Sequence, residues 1–392
     1  MQTFRHISII VLTILTISCS NKQDFNGFYF GRFETDDFNL PVLVHFDNES
    51  YIDYFSVPYD TFSYNRVGDK FHFKSKSYHQ EYELTIVQKG NQLSYYRPDS
   101  DTLIFRLKKS ESSNFMFDYL TDKKIKIDLP NGNGKSQTLG DDYRFHNPLY
   151  FSKVGNDLLV NFNDTTIKLD SNYYKFLLSY KSNLSEIDKY RFPITLIADK
   201  NLTIQELNRL KEHLRIVGYL KISYILTPQG YDKVSYIMRR IPPLTEYEIS
   251  KYEAYNFDFA PLPPPPPRPD NDFILEHGLM LEYSQDNLML NNDTIELSEL
   301  RNKLRDKILS DPNTILAYFV VDTSTYQDYI KILDLVTNVY YDLRDDYLFD
   351  KYGIKYRELW DIDERYEEAQ EKYPMRVTEL DSIDYKTIKY AL

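Results

Sequence analysis

The residue types that most often carry chemistry are sparse in this chain and poorly spaced for it. Its seven histidines, His6, His45, His72, His79, His146, His213 and His277, form no His-x-x-x-His, His-Glu-x-x-His or Cys/His cluster, so no metal site is expected. His72 and His79 fall in strand-like sequence and read as side chains of a sheet surface or a barrel lumen. The single cysteine, Cys19, has no partner for an internal disulfide. There is no Gly-x-Ser-x-Gly elbow and no Walker loop, and 12 glycines leave little backbone for cradling phosphates. No cofactor and no catalytic residue are assigned. Acid pairs are common: Asp36-Asp37, Asp141-Asp142, Asp345-Asp346 and Asp361-x-Asp363-Glu364. Glycosidase chemistry needs two carboxylates at a set separation across a cleft, which linear order does not show, and a solvated acidic face accounts for these pairs more cheaply. Three residues, Asp199, Lys200 and Asp322, stand where α/β ligand sites form, after a strand and before a helix. They are the candidate binding residues, with turn or capping duty as the competing role for both aspartates.

The elements that must position them belong to an acidic chain of 392 residues, 42% hydrophobic and 27% charged, with a formal charge of −12. That charge repels a phosphate backbone, so nucleic acid is not an expected partner. With 36 Tyr and 24 Phe, the chain favours half-buried β surfaces. Residues 1–18 place one arginine before an apolar run, Ile7 to Ile17, that is too short to span a bilayer, and Ser18-Cys19 follows. This leader resembles a bacterial lipoprotein signal, although Thr16 stands where Leu is usual. The resemblance implies cleavage before Cys19, acylation of its thiol, and a body tethered to the envelope by acyl chains alone. Ser20 in the following position implies outer-membrane delivery, with the face, periplasmic or surface, left open.

From 24 to 110, short aromatic and β-branched runs at Gly27–Phe33, Pro41–Phe46, Tyr51–Val57, Phe71–Lys74, Tyr82–Val87, Leu93–Tyr96 and Leu103–Leu107 alternate with turn signals such as Val67-Gly68-Asp69 and Lys89-Gly90-Asn91. Seven or eight strands at this spacing predict an antiparallel meander or barrel. Residues 111–150 read as a transitional segment, with Asn131-Gly-Asn-Gly134 as a loop or hairpin.

Residues 151–230 change to an α/β pattern. Strands at Leu158–Phe162 and Thr166–Leu169 precede a short helix; Phe192–Ala198 is a buried strand ending at Asp199; Thr203-Ile-Gln-Glu206 is a capping box; Gly218 stops the helix, and Leu220–Leu226 is the last strand. The order recurs over 271–353. Thr294-Ile-Glu-Leu297 matches Thr166-Ile-Lys-Leu169, Asn313–Val321 ends at Asp322, and Thr325 opens a helix bearing Tyr326, Ile330, Leu333 and Val336. In this copy 337–348 offers no clean final strand. The first copy, with Ile197-Ala-Asp-Lys200, Leu214–Gly218 and Ile222–Thr227, resembles the periplasmic domain of the ExbD/TolR biopolymer-transport family, and the second resembles it less closely. The expected class is therefore α+β, a β meander or barrel followed by two ExbD/TolR-like α/β domains. The segment 231–270 is expected to be a linker whose prolines, 261–269, make a stiff polyproline II spacer or a ligand for an aromatic groove. Residues 354–392 read as a tail with a charged helix from Tyr356 to Lys372 and an irregular end.

The resemblance implies noncatalytic docking of envelope proteins or peptidoglycan, and a pairing of the two copies as an intrachain pseudo-dimer, since domains of that family form homodimers. Lacking the family's membrane helix and its acidic residue, the chain is not expected to act as a motor. A lipid or small-ligand carrier, or a hydrolase, working through the β domain is the alternative. An apolar cavity in the barrel favours the carrier, facing carboxylates in a cleft favour the hydrolase, and an open strand edge favours docking.

Overall fold

In the computed structural model the described residues are 25–34, 39–47, 50–54, 60–76, 81–98, 100–112, 114–122, 125–138, 148–162, 165–170, 173–182, 193–242, 271–284, 287–311, 313–359 and 363–391. The leader, Cys19, His6, His79, His146, the pairs Asp36-Asp37 and Asp141-Asp142, and the proline run lie outside them. The chain is α+β and divides into two units, 1–119 and 120–392. Among the described residues no helix is long and apolar enough to cross a membrane.

The first unit holds a closed antiparallel barrel of eight strands in sequential order: β1 (Gly27–Glu34), β2 (Asn39–Phe46), β3 (Ser50–Asp53), β4 (Asp60–Val67), β5 (Lys70–Ser75), β6 (Glu81–Lys89), β7 (Gln92–Tyr96) and β8 (Leu103–Lys109). β4 was not among the strands expected from the sequence. In β5 the residues alternate outward and inward, so Phe71 and Phe73 enter the interior while Lys70, His72 and Lys74 stay outside. Phe46, Tyr51, Phe62 and Tyr95 fill the same interior, with Tyr51 and Phe73 rings 4.7 Å apart. Closure requires Gly31, because a Cβ there would meet the Arg106 carbonyl at 2.3 Å where β1 pairs with β8. The helix α1 (Phe115–Asp122) comes after the barrel strands.

The second unit contains two sheets of matching design. The first runs β12-β11-β10-β13-β14-β15-β9, from β9 (Lys135–Thr138), β10 (Pro148–Val154), β11 (Asp157–Phe162), β12 (Thr165–Lys168), β13 (Ile194–Ala198), β14 (Lys221–Leu226) and β15 (Lys233–Arg240). The second runs β18-β17-β16-β19-β20, from β16 (Gly278–Ser284), β17 (Asn287–Leu290), β18 (Asp293–Thr294), β19 (Ile315–Val320) and β20 (Val377–Glu379). In each, the first three strands pair antiparallel, and the fourth and fifth join parallel to the first. Helices α2 (Tyr173–Ser182) and α3 (Ile204–Ile216) serve the first sheet; α4 (Asn271–His277), α5 (Leu297–Ser310) and α6 (Tyr326–Tyr352) serve the second. A 3-10 turn (Tyr356–Glu358), α7 (Glu364–Lys372), β20 and α8 (Ser382–Ala391) complete the chain.

Several details differ from expectation. β15 lies within the stretch expected as linker, and with β9 it widens the first sheet. The second copy does have a last strand, β20, which comes after α6 and the excursion 353–376 and occupies part of the tail expected to be irregular. Thr294-Ile-Glu-Leu297 is mostly not a strand: β18 ends at Thr294 and α5 begins at Leu297, with Glu296 as its N-cap.

α3 and α6 begin with the same capping box, Thr203 with Glu206 and Thr325 with Asp328, where side chain and backbone satisfy each other's donors. Aligning these caps places Lys200, and not Asp199, opposite Asp322; Asp199 corresponds to Val321. The backbone agrees, since Asp199 N–H donates to Phe151 O (3.1 Å) as Val321 N–H does to Tyr283 O (3.0 Å).

Candidate functional site

The two copies meet at their capping threonines. Thr203 and Thr325 form an isolated antiparallel bridge, and the hydrogen bonds around it are reciprocal. Ile204 N–H donates to Ser324 O (2.9 Å) and Tyr326 N–H to Leu202 O (2.6 Å); Gln205 N–H donates to Asp322 O (3.1 Å) and Gln327 N–H to Lys200 O (3.0 Å). Each bond is the counterpart of its mate under the cap alignment, so a local twofold axis passes between the threonines. These donors are the ones a helix start leaves unsatisfied.

A buried polar seam lies behind the bridge. Lys211 of α3 donates to both oxygens of Glu379 on β20 (2.8 and 3.0 Å) and to the Tyr329 hydroxyl on α6 (3.0 Å). Glu379 also accepts from Tyr329 (3.0 Å) and from Tyr318 of β19 (3.3 Å), and the Tyr224 hydroxyl of β14 lies 3.4 Å from that of Tyr329. Burial, outweighing Glu379, pushes the Lys211 ammonium below the ordinary lysine value. Burial first, then the Glu379 charge, pushes the Tyr224, Tyr318 and Tyr329 hydroxyls well up, so they serve as neutral donors rather than as nucleophiles. The seam is built to hold the copies together.

Beside it opens a cleft of about 1550 Å³ lined by both copies. One edge is the extended segment around Asn131-Gly-Asn-Gly134, an open strap and not a hairpin. Thr227 N–H donates to Pro130 O (2.8 Å), Lys200 N–H to Asp128 O (2.7 Å), and the Gln327 amide brackets Asn131, accepting from its N–H (2.8 Å) and donating to its O (3.0 Å). Glycine is needed at 134, where a Cβ would meet Tyr236 O at 2.4 Å.

The opposite wall is built from α6, from Arg301 of α5 and from the 3-10 turn that carries Arg357. Asp334 is buried, with its carboxyl pushed up by desolvation against the pull of Asn133 (3.3 Å) and Asn338 (3.0 Å). Arg357 is fixed by Asp345 (2.6 Å), Asp342 (2.9 Å) and the Asn338 oxygen (3.2 Å), and Arg301 also pairs with Asp342. Asp345 is thus buried and paired, unlike its neighbour Asp346, which forms an exposed pair with Arg305 (2.7 Å). The cleft charges, Lys200, Lys331, Arg301 and Arg357 against Glu296, Asp334 and Asp342, nearly cancel. Amides from Asn131, Asn133, Asn201, Gln229, Gln327 and Asn338 supply the remaining polarity. Such a surface offers donors and acceptors in fixed positions to a polar, nearly neutral ligand.

Of the candidate residues, Lys200 lines the cleft. Asp199 serves a turn, accepting from Asn201 N–H and side chain (2.9 and 3.0 Å) and from Asp128 N–H (3.0 Å). Asp322 reaches the axis through its carbonyl. His72 is exposed beside Glu83 (3.0 Å), and among the described residues no group of three or more His, Cys, Asp or Glu could hold a metal. The strap, Arg357 and the Lys211–Glu379 seam were not read from the sequence; the Asn/Gly cluster was the one local signal for any of them. The chain matches no protein-family model, no curated protein and no solved structure.

Proposed function

We propose that this protein is an anchored envelope lipoprotein, acylated at Cys19, whose body is a noncatalytic docking scaffold made of two ExbD/TolR-like domains paired within one chain. The observation that carries this reading is the cleft at the join, where amides and mutually neutralised charges are held on rigid elements, and where Asp334 and Asp342 are already bound to amides or to a cation. Partner proteins or peptidoglycan would be gripped there by hydrogen bonds, with Lys200 in the wall. The carrier alternative draws no support from the barrel, whose described interior is filled by aromatic side chains. The test is co-sedimentation of the mature chain with purified cell wall, alongside crosslinking in envelope preparations, using wild type and the cleft-filling variant Asn338→Trp. Retention on one of these materials that the variant reduces at least tenfold is the expected result; equal behaviour of the two proteins contradicts a docking role for the cleft.

A further inference from the structure

The second copy already holds one extended peptide, the strap that leads into the first copy, and it does so through main-chain groups. On α6 the Gln327 amide accepts from Asn131 N–H (2.8 Å) and donates to Asn131 O (3.0 Å). Asp334 accepts from the backbone N–H of Asn133 and from its side-chain amide (3.3 Å). Positions 131 and 133 are alternate residues, and an extended chain turns the N–H and C=O of alternate residues to one side. α6 therefore reads this backbone as a strand reads its neighbour, with side chains in place of a second backbone.

The two residues that hold the strap belong to a longer polar row. Gln327, Lys331, Asp334, Asn338 and Asp342 recur at helical spacing along the cleft. At a rise of about 1.5 Å per residue the row runs about 22 Å, the length of about six or seven extended residues. Gln229 and Asn201 line the same cleft, and their amides, like that of Asn338, set a donor beside an acceptor, the pair that a peptide group requires. Among the described lining residues none is aromatic, although the chain has 36 Tyr and 24 Phe, so a sugar ring would find no flat apolar face to stack on. Building on the docking reading above, we infer that the cleft takes an extended, nearly neutral segment of a partner protein, held by its main-chain amides along α6 beside the strap, and not the glycan of the cell wall. Its side chains matter little to the grip, and its backbone N–H groups matter at every second residue.

The probe is a phage-displayed library of random linear peptides, selected on the full mature chain, with peptide-free glycan strands from purified cell wall assayed in parallel. Selected peptides, made synthetically, should bind wild type at least tenfold more tightly than Ser298→Trp, an exposed position on the cleft wall. N-methylation of alternate backbone nitrogens needs no variant of the protein. It should weaken binding at least tenfold in one phase and less than twofold in the other, a signature that side-chain recognition would not give. Peptide binding that ignores the substitution, or that ignores the phase of methylation, overturns the inference. Glycan strands that bind wild type and lose tenfold on Ser298→Trp also overturn it while keeping the docking reading, whereas a wild type that retains neither peptides nor glycan ends both.

Discussion

The two copies start alike and end differently. Up to the capping boxes they share strand order, hydrogen bonds and cap residues; beyond them α3 stops at Ile216, whereas α6 continues to Tyr352 and the chain wanders through 353–376 before returning as β20. By the cap alignment α3 ends opposite Asn338. Asp342 and Arg357 therefore lie on the overrun, while Asp334 and Asn338 lie just before it. The shared part supplies the scaffold and the pairing, and the overrun adds Asp342 and Arg357 to one wall of the cleft. Each copy thus departs from the shared plan in its own place, the first by adding β15 and β9 to its sheet and the second by the overrun.

The sharpest way to break this comparison is to cut the seam, because Leu333 stands on α6 where Lys211 stands on α3. Glu379→Ala strands a buried ammonium and should cost about 3 kcal/mol in urea unfolding. Lys211→Met with Glu379→Leu should recover most of that loss, since an apolar pair needs no compensation. A single variant as stable as wild type would mean that the seam does not join the copies. Next in size is Gly134→Ala, which forces the strap off Tyr236 and should cost about 2 kcal/mol by the same assay.

A smaller effect sharpens the contrast at the overrun. The Asp334 carboxyl is raised by burial, so the folded protein keeps its proton to higher pH than the unfolded chain does. Its contribution to stability is full below the ordinary value of 3.8 and is lost as pH rises through the raised folded value. Asp334→Asn should remove that slope and gain about 1 kcal/mol or less at neutral pH, read from urea midpoints across the acid range. Effects of similar size test the shared part: Thr203→Ala and Thr325→Ala should each cost about 1 kcal/mol, nearly equally, and should combine non-additively because the two caps touch.

Local chemistry made much of this legible. Gly68 and Gly90 marked hairpins with positive φ, and the Thr203 and Thr325 boxes marked both helix starts. β20 was not legible, since three residues after Pro374 are too few to show a period of two. β15 does not alternate, since Val234 to Ile237 are buried in succession and Tyr236, Ile237 and Met238 are all apolar, so it showed no period of two. The cleft was invisible for another reason: Asn131, Lys200, Arg301, Asp342 and Arg357 come from separate segments, and only the pairing of the copies gathers them.

The central claim is that the body is one fold present twice and held together across a local twofold axis. Inserting a protease site after Pro265, cleaving the purified chain, and measuring the mass of the native product by light scattering tests it directly. A single particle containing both fragments in equal amounts is predicted; two fragments that separate under native conditions would contradict the account.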